Sequence, residues 1–413
     1  MTEAKRKPFD IPKAKIWEAW KQVKSNAGSA GIDGQTIEAF EANLKGNLFK
    51  LWNRMSSGSY MPPPVMGVAI PKKSGGQRVL GIPCVADRVA QTAVKLTFEP
   101  LVESAFLPDS FGYRPNKSAH QAVELTKKRC WQHDWVLEFD IKGLFDNIPR
   151  DLLLKAVRHH TSTNWVVLYI TRWLDAPMAM PDGTVKPRFM GTPQGGVISP
   201  VLSNLFLHYA FDVWITTKHG TLPWCRYADD GLVHCKTFDE ANMLLKDLHE
   251  RFKECGLELH PGKTKIVYCK DSNRTKQWEN TCFDFLGFSF RARSAANQSG
   301  IAFSSFQPAV SRSSLKAIKQ TIRGWKIHAK TSESLQDLAK VLNPVIRGWF
   351  QYYGRFYRTA LQLLAKHLDD RLAKWARRKF KSFKNRRNAV NNWLRGICKE
   401  NPKLFAHWQY FRV

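Results

Sequence analysis

Tyr227-Ala228-Asp229-Asp230 decides the reading of this chain, because an acidic pair inside an apolar run needs either a turn or a metal to justify it. The flanking Trp224-Cys225 and Gly231-Leu232-Val233 have the composition of two short strands, so the spacing predicts a hairpin with Asp229 and Asp230 at or beside its tip. An Asp-Asp-Gly turn on a hairpin is ordinarily a solvated surface feature. Chemistry requires a third carboxylate on a neighbouring strand.

Upstream, Trp135-Val136-Leu137-Glu138-Phe139-Asp140-Ile141 alternates. Trp135, Leu137, Phe139 and Ile141 fall on one face and Val136, Glu138 and Asp140 on the other. The apolar face is expected to pack on a core, leaving Asp140 on the open side of the sheet. If this strand pairs with the hairpin, Asp140 and Asp229 converge, and three unneutralised carboxylates held together repel unless oxygen-seeking cations fill the site. Two Mg²⁺ ions roughly 3.5 to 4 Å apart can activate a 3′-hydroxyl and stabilise a leaving pyrophosphate. The reaction class implied is nucleotidyl transfer.

Three blocks in order, FDIKGLFDNI at 139–148, TPQGGVISP at 192–200 and YADD at 227–230, resemble the catalytic blocks of reverse transcriptases. More narrowly, the chain resembles the reverse transcriptase and maturase proteins encoded by bacterial group II introns. Further matching blocks are GIDG at 31–34, IPKKSGGQRVLGIPCVADRVAQ at 70–91, FGYRPNKSAHQAV at 111–123, FLGF at 285–288 and LNPVIRGWFQYYG at 342–354. The resemblance implies an α+β right-hand polymerase, with fingers and a palm whose small antiparallel sheet is backed by helices, followed by an all-α thumb and a basic helical tail. It places the N-terminal extension and fingers at 1–130, the palm at 131–303, the thumb or maturase X region at 311–370 and a basic DNA- and RNA-binding tail at 371–413. Many relatives carry a further zinc-dependent nuclease module that is not found before Val413. That departure puts target-strand cleavage in doubt and suggests a group IIC-like lineage.

The resemblance also implies roles. Asp140, Asp229 and Asp230 match the catalytic carboxylates, with Ile141 beside Asp140 completing the metal site for two Mg²⁺ ions, which Mn²⁺ can replace. Lys263 matches a general acid for pyrophosphate release, with Lys265 close by as a competitor. For the incoming deoxynucleotide, Lys72 and Arg78 match finger residues that grip the triphosphate, Gln194 and Gly195 match the nucleotide loop, and Phe145 matches the residue that crowds the sugar 2′-position. Without the family, Phe145 reads as a core aromatic and the two cations as solvated charges. The expected partners are intron RNA, an RNA template with a DNA primer, deoxynucleotides and target DNA.

Composition points the same way. The 413 residues can fill two or three packed units, and a formal charge of +29 with pI near 9.9 calls for a polyanionic partner, nucleic acid before a membrane surface. No apolar run reaches transmembrane length, MTEAKRKPFD lacks a signal core, and eight scattered cysteines without a CxxC pair suit a reduced cytoplasm, where they read as small buried hydrophobes. From Ser311 onward, 24 Lys plus Arg face 5 Asp plus Glu. Leu315, Ile318, Ile322 and Trp325 form one helical face, with Lys316, Lys319, Arg323 and Lys326 as a basic stripe beside it. Such a stripe is usually a solvated face. Its repetition at Arg377, Arg378, Lys379, Arg386 and Arg387, interleaved with Trp375, Phe380, Phe383 and Trp393, favours nucleic-acid contact.

Turn chemistry marks the joints. Met61-Pro62-Pro63-Pro64 separates a helical start from strands beginning near Val65. Ser199-Pro200 reads as a helix cap and first turn, Thr237 and Glu240 as a capping box for a helix running to Gly256, Leu257-Glu258-Leu259-His260 as the strand after it, and Arg293 to Gly300 as a surface loop. Two other functions stay open at this point. One is a maturase with a vestigial polymerase, against which the intact Asp140, Asp229 and Asp230 argue; the other is a reverse transcriptase in a host role such as phage defence. Flanking RNA able to fold as a group II ribozyme would favour the intron reading.

Overall fold

A computed structural model describes residues 7–71, 75–297, 299–384 and 386–411. Its strands are β1 (Val65–Pro71), β2 (Gln77–Ile82), β3 (Trp135–Asp140), β4 (Met178–Ala179), β5 (Val185–Lys186), β6 (Trp224–Tyr227), β7 (Asp230–Cys235), β8 (Lys265–Tyr268), β9 (Cys282–Phe285), β10 (Phe288–Ala296) and β11 (Ala302–Val310). The chain forms two compact units, residues 1–122 with 137–265, and residues 123–136 with 266–413.

In the first unit, the triple proline ends a helical stretch that includes Lys13–Asn26 and Leu44–Ser56 and delivers the chain into β1, as expected. β1 pairs antiparallel with β2 and parallel with β4, giving the order β2-β1-β4-β5. Helix Val85–Glu103 buries Val85, Val89 and Ala93 on one side and Val94, Phe98 and Val102 on another. β6, β7 and β3 lie side by side in that order, β6 and β7 as an antiparallel hairpin. Helix Phe238–Glu254 packs its Leu244, Leu248 and Phe252 into the core beneath them.

Several local readings change. Ser199 is the first helical residue rather than the cap, and its hydroxyl instead accepts from Thr192 Oγ1 at 2.8 Å. Thr237 caps Glu240 N as expected, but the Glu240 carboxylate reaches back one residue further, to Lys236 N at 2.7 Å. The segment 257–260 is not a strand: a lone bridge joins Leu259 to Ile141, and the chain is tied by Lys142 N to Glu258 O and His260 N to Asp140 O.

The second unit holds the antiparallel sheet β11-β10-β9, with the FLGF block at the turn between β9 and β10. Leu286 and Gly287 both take positive φ, 51° and 79°, and join β9 to β10 in a two-residue hairpin. Residues 293–296, expected in a loop, extend β10 instead. Their polar character has a reason: Arg293 lies over Tyr357 and donates to Gln307 O and Ser289 O, so it covers the sheet rather than leaving it.

Helices Arg312–Gly324, Leu335–Tyr353, Gln362–Lys379 and Arg387–Glu400 follow. Ser311 caps the first, and Ser334 with Asp337 forms a full capping box on the second. One hydrophobic core runs from Ile318 and Ile322 through Leu338, Phe350 and Trp375 to Leu394 and Trp408, so the basic C-terminal segment is folded into the same core as the helices before it. Seven of the eight cysteines are buried. Among the described residues, no helix is long and apolar enough to cross a membrane.

Candidate active site

The hairpin tip is two residues long, with Tyr227 opposite Asp230 and Ala228-Asp229 between them. Ala228 sits at φ 57°, at a turn position where glycine is the usual occupant, which costs roughly 1 kcal/mol or more in backbone strain. Asp229 and Asp230 are half-buried and Asp140 is 8% exposed. Asp140 therefore does not stand on an open face: Lys263 Nζ lies 2.8 Å from its Oδ2, and Lys265 Nζ lies 3.4 Å from Glu138 Oε2 on the same strand. The turn at Pro261-Gly262, closed by Lys263 N and Thr264 N on His260 O, delivers Lys263 rather than Lys265 to the carboxylates.

The electrostatics follow from crowding. Burial raises the Asp229 carboxyl, and the charge of Asp140 adds to it. Asp230 is pushed up to about 7, first by burial and then by Asp229 and Asp140. Burial pulls the Lys263 ammonium down, but its hydrogen bond to Asp140 and the charges of Asp140, Asp230 and Asp229 more than reverse this, so it is held above the usual lysine value. One lysine thus faces three carboxylates. Among the described residues, no group of three or more His, Cys, Asp or Glu side chains is arranged to hold a metal ion as it stands.

Beneath the tip lies a network that sequence reading missed. Arg226 is fully buried, and its guanidinium is bonded in a fork to Asp212, Nε to Oδ1 at 2.7 Å and Nη2 to Oδ2 at 2.6 Å. The remaining N–H groups reach Ser110 Oγ, Asn204 Oδ1 and the Ala228 carbonyl. Asn204 Nδ2 in turn donates to Gly112 O at 2.6 Å. A side chain on Gly112 would stand 2.3 Å from Ala228 N, so this glycine is what lets the 110–113 segment lie against the hairpin turn. Tyr113 follows at φ 58° and is exposed. An arginine at an inward position of an apolar strand was the available signal for Arg226.

The other expected site residues lie on neighbouring elements. Phe145 is half-buried on the short helix Leu144–Asn147, and its carbonyl accepts from Thr192 N at 2.7 Å. Gln194 carries its carbonyl to Gly81 N at 2.7 Å, and its side chain lies 3.4 Å from Asp146. Gly195 takes φ 113°, and a Cβ there would collide with Gly81 O, so this glycine lets the loop lie against β2.

The loop is fixed from behind. Gln91 accepts from Val197 N, and its amide donates to Asp87, a fully buried acid that also accepts from Tyr60 OH and Trp173 Nε1. Burial raises the Asp87 carboxyl. Arg78 is exposed on β2, and Lys72 lies outside the described residues. In the second unit Lys316, Arg323, Lys326, Arg378, Arg386 and Arg387 are exposed and Lys319 and Arg377 half-buried, though Lys326 lies past the end of its helix. Lys379 is otherwise engaged, donating to the carbonyls of Thr331 and Glu333 at 2.9 and 2.8 Å.

Residues 70–290, more than half of the chain, match the family described as reverse transcriptase (RNA-dependent DNA polymerase), and 315–393 match the maturase-specific domain of group II introns. The chain belongs to the reverse transcriptase family and carries, after that domain, a match to the maturase-specific domain of group II introns. It is 36% identical over 198 residues to Protein YkfC of Escherichia coli K12, a stretch covering 47% of this chain and 51% of that one. Over 194 residues it is 34% identical to the group II intron-encoded protein LtrA of Lactococcus lactis subsp. cremoris, 46% of this chain and 32% of LtrA. The chain thus spans about half or less of the curated relatives it matches. A telomerase structure from Candida albicans, in complex with a fragment of telomeric RNA, superposes at TM-score 0.45 and 11% identity, covering 90% of this chain and 67% of that one.

Proposed function

We propose that the chain is an RNA-directed DNA polymerase that extends a DNA primer on an RNA template, and that it also binds group II intron RNA in splicing and mobility. The observation that carries this reading is the gathering of Asp140, Asp229, Asp230 and Lys263 at one hairpin tip, inside the segment that matches the reverse transcriptase family.

The donor set fits a hard divalent cation. Carboxylate oxygens suit Mg²⁺, and Asp230, pushed up to about 7 first by burial and then by the charges of Asp229 and Asp140, is a group whose ionised form a cation would favour. Asp140, Asp229 and the main chain of Ile141 would hold two Mg²⁺ ions, or Mn²⁺ in their place, with Asp230 adjoining. When bound, they supply stabilisation of charge on the primer oxygen and the leaving pyrophosphate.

The chain's own groups do the rest. Lys263, kept protonated by its carboxylate neighbours, holds a proton for the departing pyrophosphate. Arg78, with Lys72, grips the triphosphate, and Gln194 with Gly195 forms the loop against which the nucleotide lies. Phe145, half-buried rather than locked in the core, is free to meet the sugar 2′-carbon. Residues 1–130 act as N-terminal extension and fingers, 131–303 as palm and 311–370 as thumb, and the basic helices after Ser311 engage intron RNA and target DNA.

Incubating the purified chain with an RNA template, an annealed DNA primer, deoxynucleotides and Mg²⁺ tests the polymerase half. Template-directed extension that chelation abolishes is expected. No extension with Mg²⁺ or Mn²⁺ overturns it, and failure to promote splicing of any flanking group II intron RNA overturns the maturase half.

A further inference from the structure

The buried Arg226–Asp212 pair holds no substrate-facing atom, yet it is built with unusual completeness. A guanidinium has five N–H donors, and each of the five on Arg226 has an acceptor within 3.0 Å: both Asp212 oxygens, Ser110 Oγ, Asn204 Oδ1 and Ala228 O. Its main chain is used as well, since Arg226 N donates to Asp109 O and Arg226 O accepts from Phe111 N. One residue therefore ties three pieces of chain to the turn: the segment 109–112, the helix bearing Asn204, and the π turn His208–Asp212 that ends in Asp212.

The bond to Ala228 O is the informative one. Ala228 is the single turn residue held at positive φ, and its conformation sets the direction in which Asp229 and Asp230 leave the tip. An alanine does not adopt that conformation unaided. We infer that Arg226, braced by Asp212, is a positioning residue for nucleotidyl transfer: it locks Ala228 in the left-handed conformation and so fixes the two carboxylates of the hairpin relative to Asp140.

Arginine is required for this rather than any cation. A lysine at 226 offers three donors from a single point and cannot fork onto Asp212 while reaching Ala228 O. Asp212 supplies the counter-charge without which a guanidinium could not be buried at all.

The inference rests on the polymerase reading, and the experiment separates the two. Arg226→Lys is compared with the unaltered chain in single-nucleotide extension on a fixed primer and template, alongside its melting temperature and its Mn²⁺ affinity, read from the electron paramagnetic resonance of unbound Mn²⁺. The expected result is a fall of roughly 30-fold or more in kcat with KM for the deoxynucleotide within about three-fold, and several-fold weaker Mn²⁺ binding. Adding Ala228→Gly, which takes positive φ without strain, should recover a large part of the lost kcat, because it relieves the requirement that Arg226 meets.

Should Arg226→Lys fail to fold, Arg226→Met with Asp212→Leu replaces the ion pair by apolar groups of similar volume and serves as the folded test, again with and without Ala228→Gly. Undiminished kcat in a folded variant overturns the inference, as does a loss that Ala228→Gly leaves untouched, which would make Arg226 part of the core and nothing more. If the unaltered chain itself does not extend a primer, it is the polymerase reading that fails.

Discussion

At the 227–230 turn, three carboxylates and one lysine are crowded among buried groups, while beyond Ser311 a large excess of cations rides on the outside of a continuous hydrophobic core. The first region keeps its charges in one geometry by spending a buried, fully bonded arginine on them; the second lets most of its arginines stand in solvent. The contrast matches two kinds of work. Transition-state stabilisation depends on groups already fixed where charge develops, whereas attraction to a polyanion tolerates loose side chains and falls with salt. Rigidity should therefore matter most for chemistry and least for binding, and each region can be damaged without the other.

The largest effect is expected at the turn. Asp140→Asn or Asp229→Asn should lower primer extension by about three orders of magnitude or more, several kcal/mol of lost transition-state stabilisation, while affinity for RNA stays within a factor of about two. Paired extension and filter-binding measurements check this. Substantial residual extension by either variant would break the separation from the catalytic side.

Next comes the basic surface. Replacing Arg377, Arg378, Arg386 and Arg387 with Gln should make the log-log salt dependence of RNA binding shallower by roughly one unit per lost phosphate contact and weaken binding by one to two orders of magnitude at moderate salt. Extension of a short pre-annealed primer at saturating protein should persist. Lys379 is left in place because its ammonium already holds two carbonyls, and removing it would damage the fold. Salt slopes that coincide for variant and unaltered chain would reduce these arginines to a solvated face.

A smaller effect is expected at Phe145. Phe145→Val should raise ribonucleotide relative to deoxynucleotide incorporation on the order of ten-fold, since a hydroxyl that met the ring would find room. Single-nucleotide kinetics with both sugars decide it. A ratio that does not move would return Phe145 to a packing role.

How much of this was legible in the sequence depended on whether the signal was local. The hairpin could be read because a two-residue turn between short apolar strands leaves its mark within ten residues, and Val65 as a strand start because three prolines forbid anything else before it. Leu257–His260 misled because its alternation is genuine but serves a single bridge at Leu259 and one main-chain bond to Asp140. Residues 293–296 hid their strand behind arginine and small residues whose work, covering Tyr357, is visible only once the sheet exists. Arg226 and Asp87 escaped because most of what identifies a buried charge lies far off in the chain, 14 and 116 residues away for the Asp212 and Ser110 partners of Arg226 and 86 for the Trp173 partner of Asp87; the arginine inside an apolar strand was the one local sign.

The most diagnostic effect is on stability against pH without divalent ions. Burial and two neighbouring carboxylates raise Asp230 from the ordinary value of 3.8 to about 7, so between those limits the folded chain keeps a proton that the unfolded chain releases. The unfolded state then binds fewer protons, and stability falls as pH rises. The contribution is complete below about 4 and is lost as pH passes through about 7, at a rate of at most about 1.4 kcal/mol per pH unit. Metal-free thermal melts should thus drop in Tm from pH 5 to pH 8, Asp230→Asn should flatten the slope, and Mg²⁺ should restore stability at the alkaline end. Neutralising the four arginines of the basic surface should leave this slope unchanged, since none of them is among the charges that shift Asp230. A flat profile for the unaltered chain would mean that neither burial nor the neighbouring carboxylates raise Asp230 in the folded state, and the crowding argued for the turn would be wrong.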